Sequence, residues 1–253
     1  MIVATGLCKS FGTKEVLRDV SFRVEPGEIF GYLGPNGSGK TTTLRILCGM
    51  IRPTAGEALV AGFNVAQSPQ EVKRRIGVVP ETGALYEHLT PREFLTFCGD
   101  LFEVDEKALA TRIEELIHAF DLSLALDDKM TTFSKGMKQK VVIISALLHN
   151  PDVLFFDEAL NGLDVHAALL LKGILGDLAA KGKTIFFSSH ILEVVERICH
   201  RVAIIHHGQV LRQGSVKELM TLSNETTLEA VFHDLTADVD YAREVKAFVD
   251  ALG

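Results

Sequence analysis

The residues best placed to do chemistry are Gly34-Pro35-Asn36-Gly37-Ser38-Gly39-Lys40-Thr41, a complete match to the phosphate-binding pattern G-x-x-x-x-G-K-[ST]. Gly34, Gly37 and Gly39 permit tight turns in which successive backbone N–H groups point at phosphate oxygens with no Cβ in the way. Lys40 adds a cation able to reach the terminal phosphates, and the Thr41 hydroxyl is a ligand for Mg²⁺. The candidates for holding a nucleoside triphosphate are therefore Asn36, Gly37, Ser38, Gly39, Lys40, Thr41 and Thr42. At average composition such a match arises by accident in roughly one per cent of chains this long, so an idle glycine-rich turn is a poor account of it.

Far downstream, Leu154-Phe155-Phe156-Asp157-Glu158 is an apolar run ending in two acids. Phosphate-loop enzymes hold Mg²⁺ with the help of an acid at a second strand end, and Asp157 is placed for that work. Glu158, the next residue, could polarise an attacking water. Alone, the pair would read equally well as a solvated acidic turn. With the phosphate loop upstream, handling of metal and water is the better reading.

These groups need a scaffold that brings two strand ends together. Residues 29–33 read as a strand feeding the loop and residues 42–50 as the helix it opens, which sets a helix N-terminus against the anion. Short apolar runs at 20–24, 58–60 and 76–79 read as further strands, with a single helix before residue 80. From about 83 to 150 the character becomes helical. Thr90-Pro91-Arg92-Glu93 fits a capping box with Pro at the first helical position, and Leu109, Ile113, Leu116, Ile117 and Phe120 recur at helical spacing. Strands at 153–156 and 184–188 flank a helix at 165–180, and 202–205 with 210–213 form a hairpin turned at His207-Gly208. Beyond about 220 lies a mostly helical extension. The pattern predicts an α/β nucleotide core interrupted by a helical insert.

Composition narrows the class. With 26 basic and 33 acidic residues the formal net charge is −7, which argues against non-specific binding to nucleic acid. Cys8, Cys48, Cys98 and Cys199 are scattered with no C-x-x-C pair, so neither a disulfide framework nor a zinc site is expected and a reducing compartment fits. The longest apolar run, residues 141–148, falls far short of the ~20 residues needed to span a bilayer. No secretory signal is read at the N-terminus. The expectation is a soluble, cytoplasmic protein whose membrane role, if any, comes through a partner.

Taken in order along the chain, the motifs resemble those of the nucleotide-binding subunit of ATP-binding cassette (ABC) transporters. The phosphate loop is followed by Ser134-Lys135-Gly136-Met137-Lys138-Gln139, similar to that family's signature. Then come Phe155-Phe156-Asp157-Glu158, the turn Leu160-Asn161-Gly162-Leu163-Asp164, and Ser188-Ser189-His190. The resemblance implies a RecA-like, mostly parallel core at 1–82 and 151–219 with an N-terminal antiparallel β region. It also implies a helical insert at 83–150 and a C-terminal extension at 220–253. By the same resemblance Phe11 and Val16 receive adenine, His190 contacts the γ-phosphate, and Asp164 communicates across a dimer. Ser134 and Gly136 cap the nucleotide of the opposing subunit, so the cofactors implied are ATP and Mg²⁺ and the assembly is a dimer with ATP between its subunits. That second subunit is a copy of this chain or a relative. The implied protein is an ATPase that powers a separate membrane-spanning permease, held by that partner on the inner face of the cell membrane, with no nucleic acid expected. Segment 82–89 is apolar and aromatic enough to dock such a partner.

The chain departs from the family pattern in two places. Lys135 stands where the family's L-S-G-G-Q has Gly, a version similar to that of an exporter subgroup, and residues 227–232 resemble the tail of the same subgroup. Glu81 stands where the family has Gln as a neutral Mg²⁺ ligand. Two like charges ~4 Å apart repel by about 4 kcal/mol at an effective dielectric of ~20, so Glu81 is expected to bind Mg²⁺ more tightly and to alter the pH dependence of hydrolysis. Ala159, where Pro is common, is expected to matter little. The competing reading is a soluble mechanochemical ABC ATPase acting on nucleic acid or ribosomes. One cassette, no heptad run and a net negative charge count against it. A module that binds nucleotide without turnover is disfavoured by the joint presence of Lys40, Asp157, Glu158 and His190.

Overall fold

The computed structural model describes residues 1–81, 85–159, 163–189, 191–223, 225, 227–236 and 250. Every residue of β3 (Ile29–Leu33), β7 (Val153–Asp157) and β8 (Thr184–Ser189) is buried. That is the behaviour of parallel strands covered on both faces. Consecutive side chains then point to opposite sides. Phe155 and Phe186 enter the apolar core on one face of the sheet, while Phe156 and Phe187 enter the core on the other.

The larger sheet has six strands in the order β10-β9-β3-β8-β7-β6. It is completed by β6 (Ile76–Val79), β9 (Arg201–His206) and β10 (Gln209–Ser215). All neighbours run parallel except β10, which turns back along β9. Leu33 pairs with Ser189 and Asp157 with Ser188, so β3, β7 and β8 end at one level. In open parallel sheets this carboxyl edge is where ligands bind.

The smaller sheet, β2-β1-β4-β5, is antiparallel. Its strands are β1 (Ile2–Phe11), β2 (Lys14–Val24), β4 (Ala55–Val60) and β5 (Phe63–Asn64). An irregularity at Asp19, whose φ is 53°, lets Leu17 and Val20 face inward although they are an odd number of residues apart. Phe22 of this sheet meets Phe30, Tyr32 and Phe186 of the larger one at centroid distances of 5.6, 5.4 and 5.8 Å. Those contacts join the two sheets.

The helical stretch holds α3 (Pro91–Leu101), α4 (Glu106–Ala119) and α5 (Lys135–Leu147), numbered after α1 (Lys40–Leu47) and α2 (Pro69–Arg75). The capping box is formed: Glu93 N–H donates to Thr90 Oγ1 at 3.1 Å, and Thr90 N–H donates to Glu93 Oε2 at 2.8 Å. Leu109, Ile113, Ile117 and Phe120 are buried as one face, with Leu116 at its margin. Gly99 is needed where α3 crosses α4, because a Cβ there would lie 2.4 Å from Leu109. Among the described residues no helix is long and apolar enough to cross a membrane.

Several elements differ from the sequence expectation. The helix expected at 42–50 starts at Lys40, because Gly39 ends the loop at φ 111°, and it stops at Leu47. Before residue 80 there is a second helix, α2, whose seven residues are too few to show a period. The strand expected at 20–24 is the end of β2, whose polar first half hides it. The strands β1 and β5 and the helix Leu192–Ile198 have no counterpart among the runs read in the sequence, although the family resemblance implies an antiparallel N-terminal region. Where an element is expected, as at 165–180, it is present: α6 (Val165–Ala180) joins β7 to β8. His207 and Gly208, at φ 45° and 78°, form the two-residue turn between β9 and β10. After α7 (Leu192–Ile198) and α8 (Val216–Ser223), α9 (Leu228–Thr236) buries Leu228 and Val231 against them.

Candidate functional site

The phosphate loop is shaped by what its glycines avoid. A Cβ on Gly34 would lie 2.3 Å from the Ile205 carbonyl oxygen and 2.4 Å from Ser38 Oγ. Gly37 and Gly39 have φ values of 82° and 111°, a region that residues with side chains avoid. Gly39 caps α1 without a side chain, so the first N–H groups of that helix receive no side-chain cap and face the cleft above β3. Lys40 Nζ donates to the carbonyls of Gly34 at 2.7 Å and Pro35 at 3.2 Å. Burial pushes its ammonium below the usual lysine value, against the pull of the Glu158, Asp157 and Glu81 carboxylates.

The loop is braced from outside. Gly208 N–H donates to the Ser38 carbonyl at 3.0 Å, and the Gly208 carbonyl accepts from Arg18 N–H at 2.8 Å. The β9–β10 turn thus ties the loop to β2. A Cβ at Gly208 would lie 2.3 Å from the Val16 carbonyl, so only glycine makes this approach.

A cleft of about 600 Å³ opens at the carboxyl edge of the sheet. Of the residues singled out in the sequence, Val16, Asn36, Gly37, Gly39, Lys40, Thr41 and Thr42 line it, together with Glu81, Asp157 and Glu158 from the far side. Ser38 is buried beneath the loop. Burial raises the Asp157 carboxyl above its ordinary value; the nearby Ser188 and Thr41 hydroxyls and the Lys40 ammonium oppose the rise, and the Glu81 carboxylate adds to it. Its Oδ1 makes no hydrogen bond of normal geometry among the described residues. Glu158 has a φ of 52° and donates its N–H to the Ser188 carbonyl at 3.0 Å. A left-handed backbone costs a residue with a side chain about 1–2 kcal/mol, a strain found where geometry serves function.

Other candidates lie elsewhere. Phe11 is 52 % exposed at the end of β1, with Lys9 Nζ 4.9 Å from its ring centroid, and does not line the cleft. Ser134 caps α5, its Oγ accepting from Met137 N–H at 3.2 Å, and it and Gly136 also lie outside the cleft. Asp164 caps α6, accepting from Ala167 N–H at 2.8 Å, and Lys140 Nζ is 3.1 Å away. The Ala167 N–H first, and Lys140 second, hold its carboxyl below the usual range. His190 and residues 160–162 lie outside the described residues. Sequence reasoning missed Lys14, Arg18 and His207, which line the cleft from β2 and the β9–β10 turn. His207 was read only as a turn residue, and the two cations carry no local signal beyond their charge.

The cleft therefore couples a phosphate loop to two acids at the end of a second strand, and the family model for the ABC transporter matches residues 17–161. The chain belongs to the ABC transporter family. It is an ATP-binding subunit of that family and an ATPase. It is 39 % identical over 238 residues to the ABC transporter ATP-binding protein NatA of Bacillus subtilis, covering 92 % of this chain and 96 % of the relative. The Nod factor export ATP-binding protein I of Paraburkholderia xenovorans is 38 % identical over 212 residues, covering 84 % and 70 %. A solved structure described as the ATP binding subunit of an ABC transporter superimposes with a TM-score of 0.88 at 32 % identity, covering 93 % of this chain and 99 % of that one. ABC ATP-binding subunits dimerise and work with membrane permease components.

No group of three or more His, Cys, Asp or Glu side chains among the described residues is arranged to hold a metal. The ABC site nevertheless fits Mg²⁺. That ion keeps several waters and takes phosphate oxygens rather than an all-protein cage. Here the Thr41 hydroxyl and the Asp157 and Glu81 carboxylates line one cleft.

Proposed function

We propose that this chain closes as a dimer around two ATP–Mg²⁺ and drives a separate membrane-spanning permease, an exporter, from the inner face of the cell membrane. The observation that carries the reading is that the phosphate loop shares a cleft with Asp157 and Glu158 while Ser134 and Gly136 lie outside it. A site that lacks its signature residues within one chain calls for a second subunit to supply them. Whether that subunit is a copy or a relative, the geometry required is the same.

In this reading Lys40 and the loop N–H groups bind the β- and γ-phosphates, with Phe11 and Val16 on the adenine side. Thr41, Asp157 and Glu81 hold Mg²⁺, which when bound neutralises charge on the phosphate oxygens. Glu158 orients a water and accepts its proton as the water oxygen bonds to the γ-phosphorus. The bond from that phosphorus to the bridging oxygen breaks and leaves ADP and phosphate. His190 contacts the γ-phosphate, and Ser134 and Gly136 at the N-terminus of α5 face the partner's nucleotide. Asp164, capping α6, relays between subunits.

The domain division follows: a nucleotide core at 1–82 and 151–219, the insert at 83–150, and an extension from 220. Export is supported by the name of the Nod factor export relative and by the Lys135 form of the signature. Docking of the permease near 81–89 is supported by exposed Tyr86, whose ring lies 6.4 Å from Phe94 and 6.0 Å from Phe97. The test is Glu158→Gln. It should abolish turnover and leave an ATP-stabilised dimer by size exclusion; wild-type turnover would overturn the assignment of Glu158. The chain drawn gently from its native membranes should bring a multi-span membrane protein with it, and a partner-free chain would count against the permease.

A further inference from the structure

The left-handed backbone of Glu158 must be held by its surroundings, and two hydrogen bonds bracket it. Before the bend, Glu158 N–H donates to the Ser188 carbonyl of β8 at 3.0 Å. After it, the carbonyl of Ala159 accepts from the side-chain amide of Gln139, Nε2 to oxygen, at 3.0 Å. The first bond belongs to the sheet edge. The second comes from α5, the helix that precedes β7, twenty residues back along the chain.

Gln139 is 7 % exposed. An amide buried beside the apolar run Val141–Ile144 is unfavourable unless it is paired, and the Ala159 carbonyl is the partner that makes its burial tolerable. The same turn of α5 carries Lys138, 2.7 Å from Glu87, and Lys140, 3.1 Å from Asp164. In both pairs the carboxylate is exposed, and ion pairs of that kind contribute little to fixing a backbone. The buried amide is the stiff connection.

We propose that Gln139 is a positioning residue for ATP hydrolysis. By fixing the Ala159 peptide it keeps Glu158 in its left-handed bend, with the carboxylate directed at the nucleotide cleft. Gln139 lies little more than one helical turn beyond Ser134. The helix that presents Ser134 and Gly136 outward therefore also sets the acid of its own subunit. The inference rests on the reading of Glu158 as the group that handles water.

The experiment is a double-mutant cycle in single-turnover ATP hydrolysis, using the full chain with its assembly partners. Gln139→Met keeps the volume and removes the donor. A displacement on the order of 1 Å at a reacting group costs about 100-fold, so kcat should fall about 10- to 100-fold while KM for ATP and the melting temperature hold. In a Glu158→Ala background the same substitution should change the residual rate by less than about 2-fold, because there is no carboxylate left to misplace. Equal losses in both backgrounds, or a wild-type kcat in Gln139→Met, would overturn the proposal. Gln139→Leu, a second apolar residue of similar size without the donor, should lower kcat to the same extent, which keeps the test valid if Gln139→Met does not fold; a wild-type kcat in Gln139→Leu would also overturn the proposal. If Glu158→Gln itself retains turnover, the reading of Glu158 falls; if that variant is dead and Gln139→Met is unimpaired, only the positioning role falls.

Discussion

Two helix N-termini in this molecule carry the residue types that bind phosphate, and they are finished differently. At α1 the cap is Gly39, with no side chain to satisfy the first N–H groups, and the cleft above it is lined by Lys40 and by the Glu81, Asp157 and Glu158 carboxylates. At α5 the cap is Ser134, whose own hydroxyl already accepts from Met137 N–H, and no acid of the site lies beside it. The first is a complete anion site turned inward. The second is a self-sufficient cap turned outward, able to accept a ligand only by sharing a hydroxyl that already has work. The difference teaches that the same element can serve as a site within one chain or as half of a site between two.

The comparison breaks if both termini behave alike towards ATP. Lys40→Ala should weaken ATP binding to the isolated subunit by at least about 100-fold, since it removes a charge-assisted contact in a partly buried site, and calorimetry would read this directly. Ser134→Ala should leave that affinity unchanged while lowering kcat by about 10-fold; equal loss of affinity in both variants would refute the division. Denaturant titration should separately find Ser134→Ala less stable by about 0.5–2 kcal/mol, the worth of a lost cap.

Asp157 sharpens the contrast, because only the α1 site carries a strained charge. Burial raises its carboxyl above the unfolded value. The raised value favours the folded state below the unfolded pKa, and that advantage is lost as pH rises through the folded one. Asp157→Asn should therefore stabilise the nucleotide-free protein near neutral pH by about 0.5–2 kcal/mol. The gain should shrink as pH falls toward the ordinary Asp range, and thermal melts across pH would test the sign. The smallest effect is expected of Glu81→Gln. The Mg²⁺ concentration for half-maximal hydrolysis should rise a few-fold and the pH–rate profile should shift, whereas superimposable curves would show that the exposed carboxylate behaves as the amide does.

What could be read in the sequence was whatever is encoded locally. Glycine spacing announced the loop, Thr90 and Glu93 announced the start of α3, and His207-Gly208 announced a two-residue turn. The helix read between two strands at 165–180 has the bounds of α6. Hidden features were those set by contact between distant segments. The polar start of β2 gave no sign that Lys14 and Arg18 would line the cleft. Nothing near Gln139 pointed to the Ala159 carbonyl. Phe11 is assigned by resemblance alone, and its exposed ring sits beside Lys9 at the end of β1. The seven residues of α2 were too short to leave a pattern.

The position of β3 has a consequence for the order in which the molecule comes apart. This strand has β8 on one side and β9 on the other, and all five of its residues are buried. Amides in such a strand exchange with solvent only when the whole structure opens, whereas edges and termini open more cheaply. The amides of Phe30, Gly31 and Tyr32 should thus be among the last to take up deuterium, and those of β5, β10 and α9 among the first. The phosphate loop grows directly from the slowest-exchanging strand. Mild destabilisation should therefore loosen the periphery while the grip on phosphate persists, and loss of nucleotide binding would then report global unfolding.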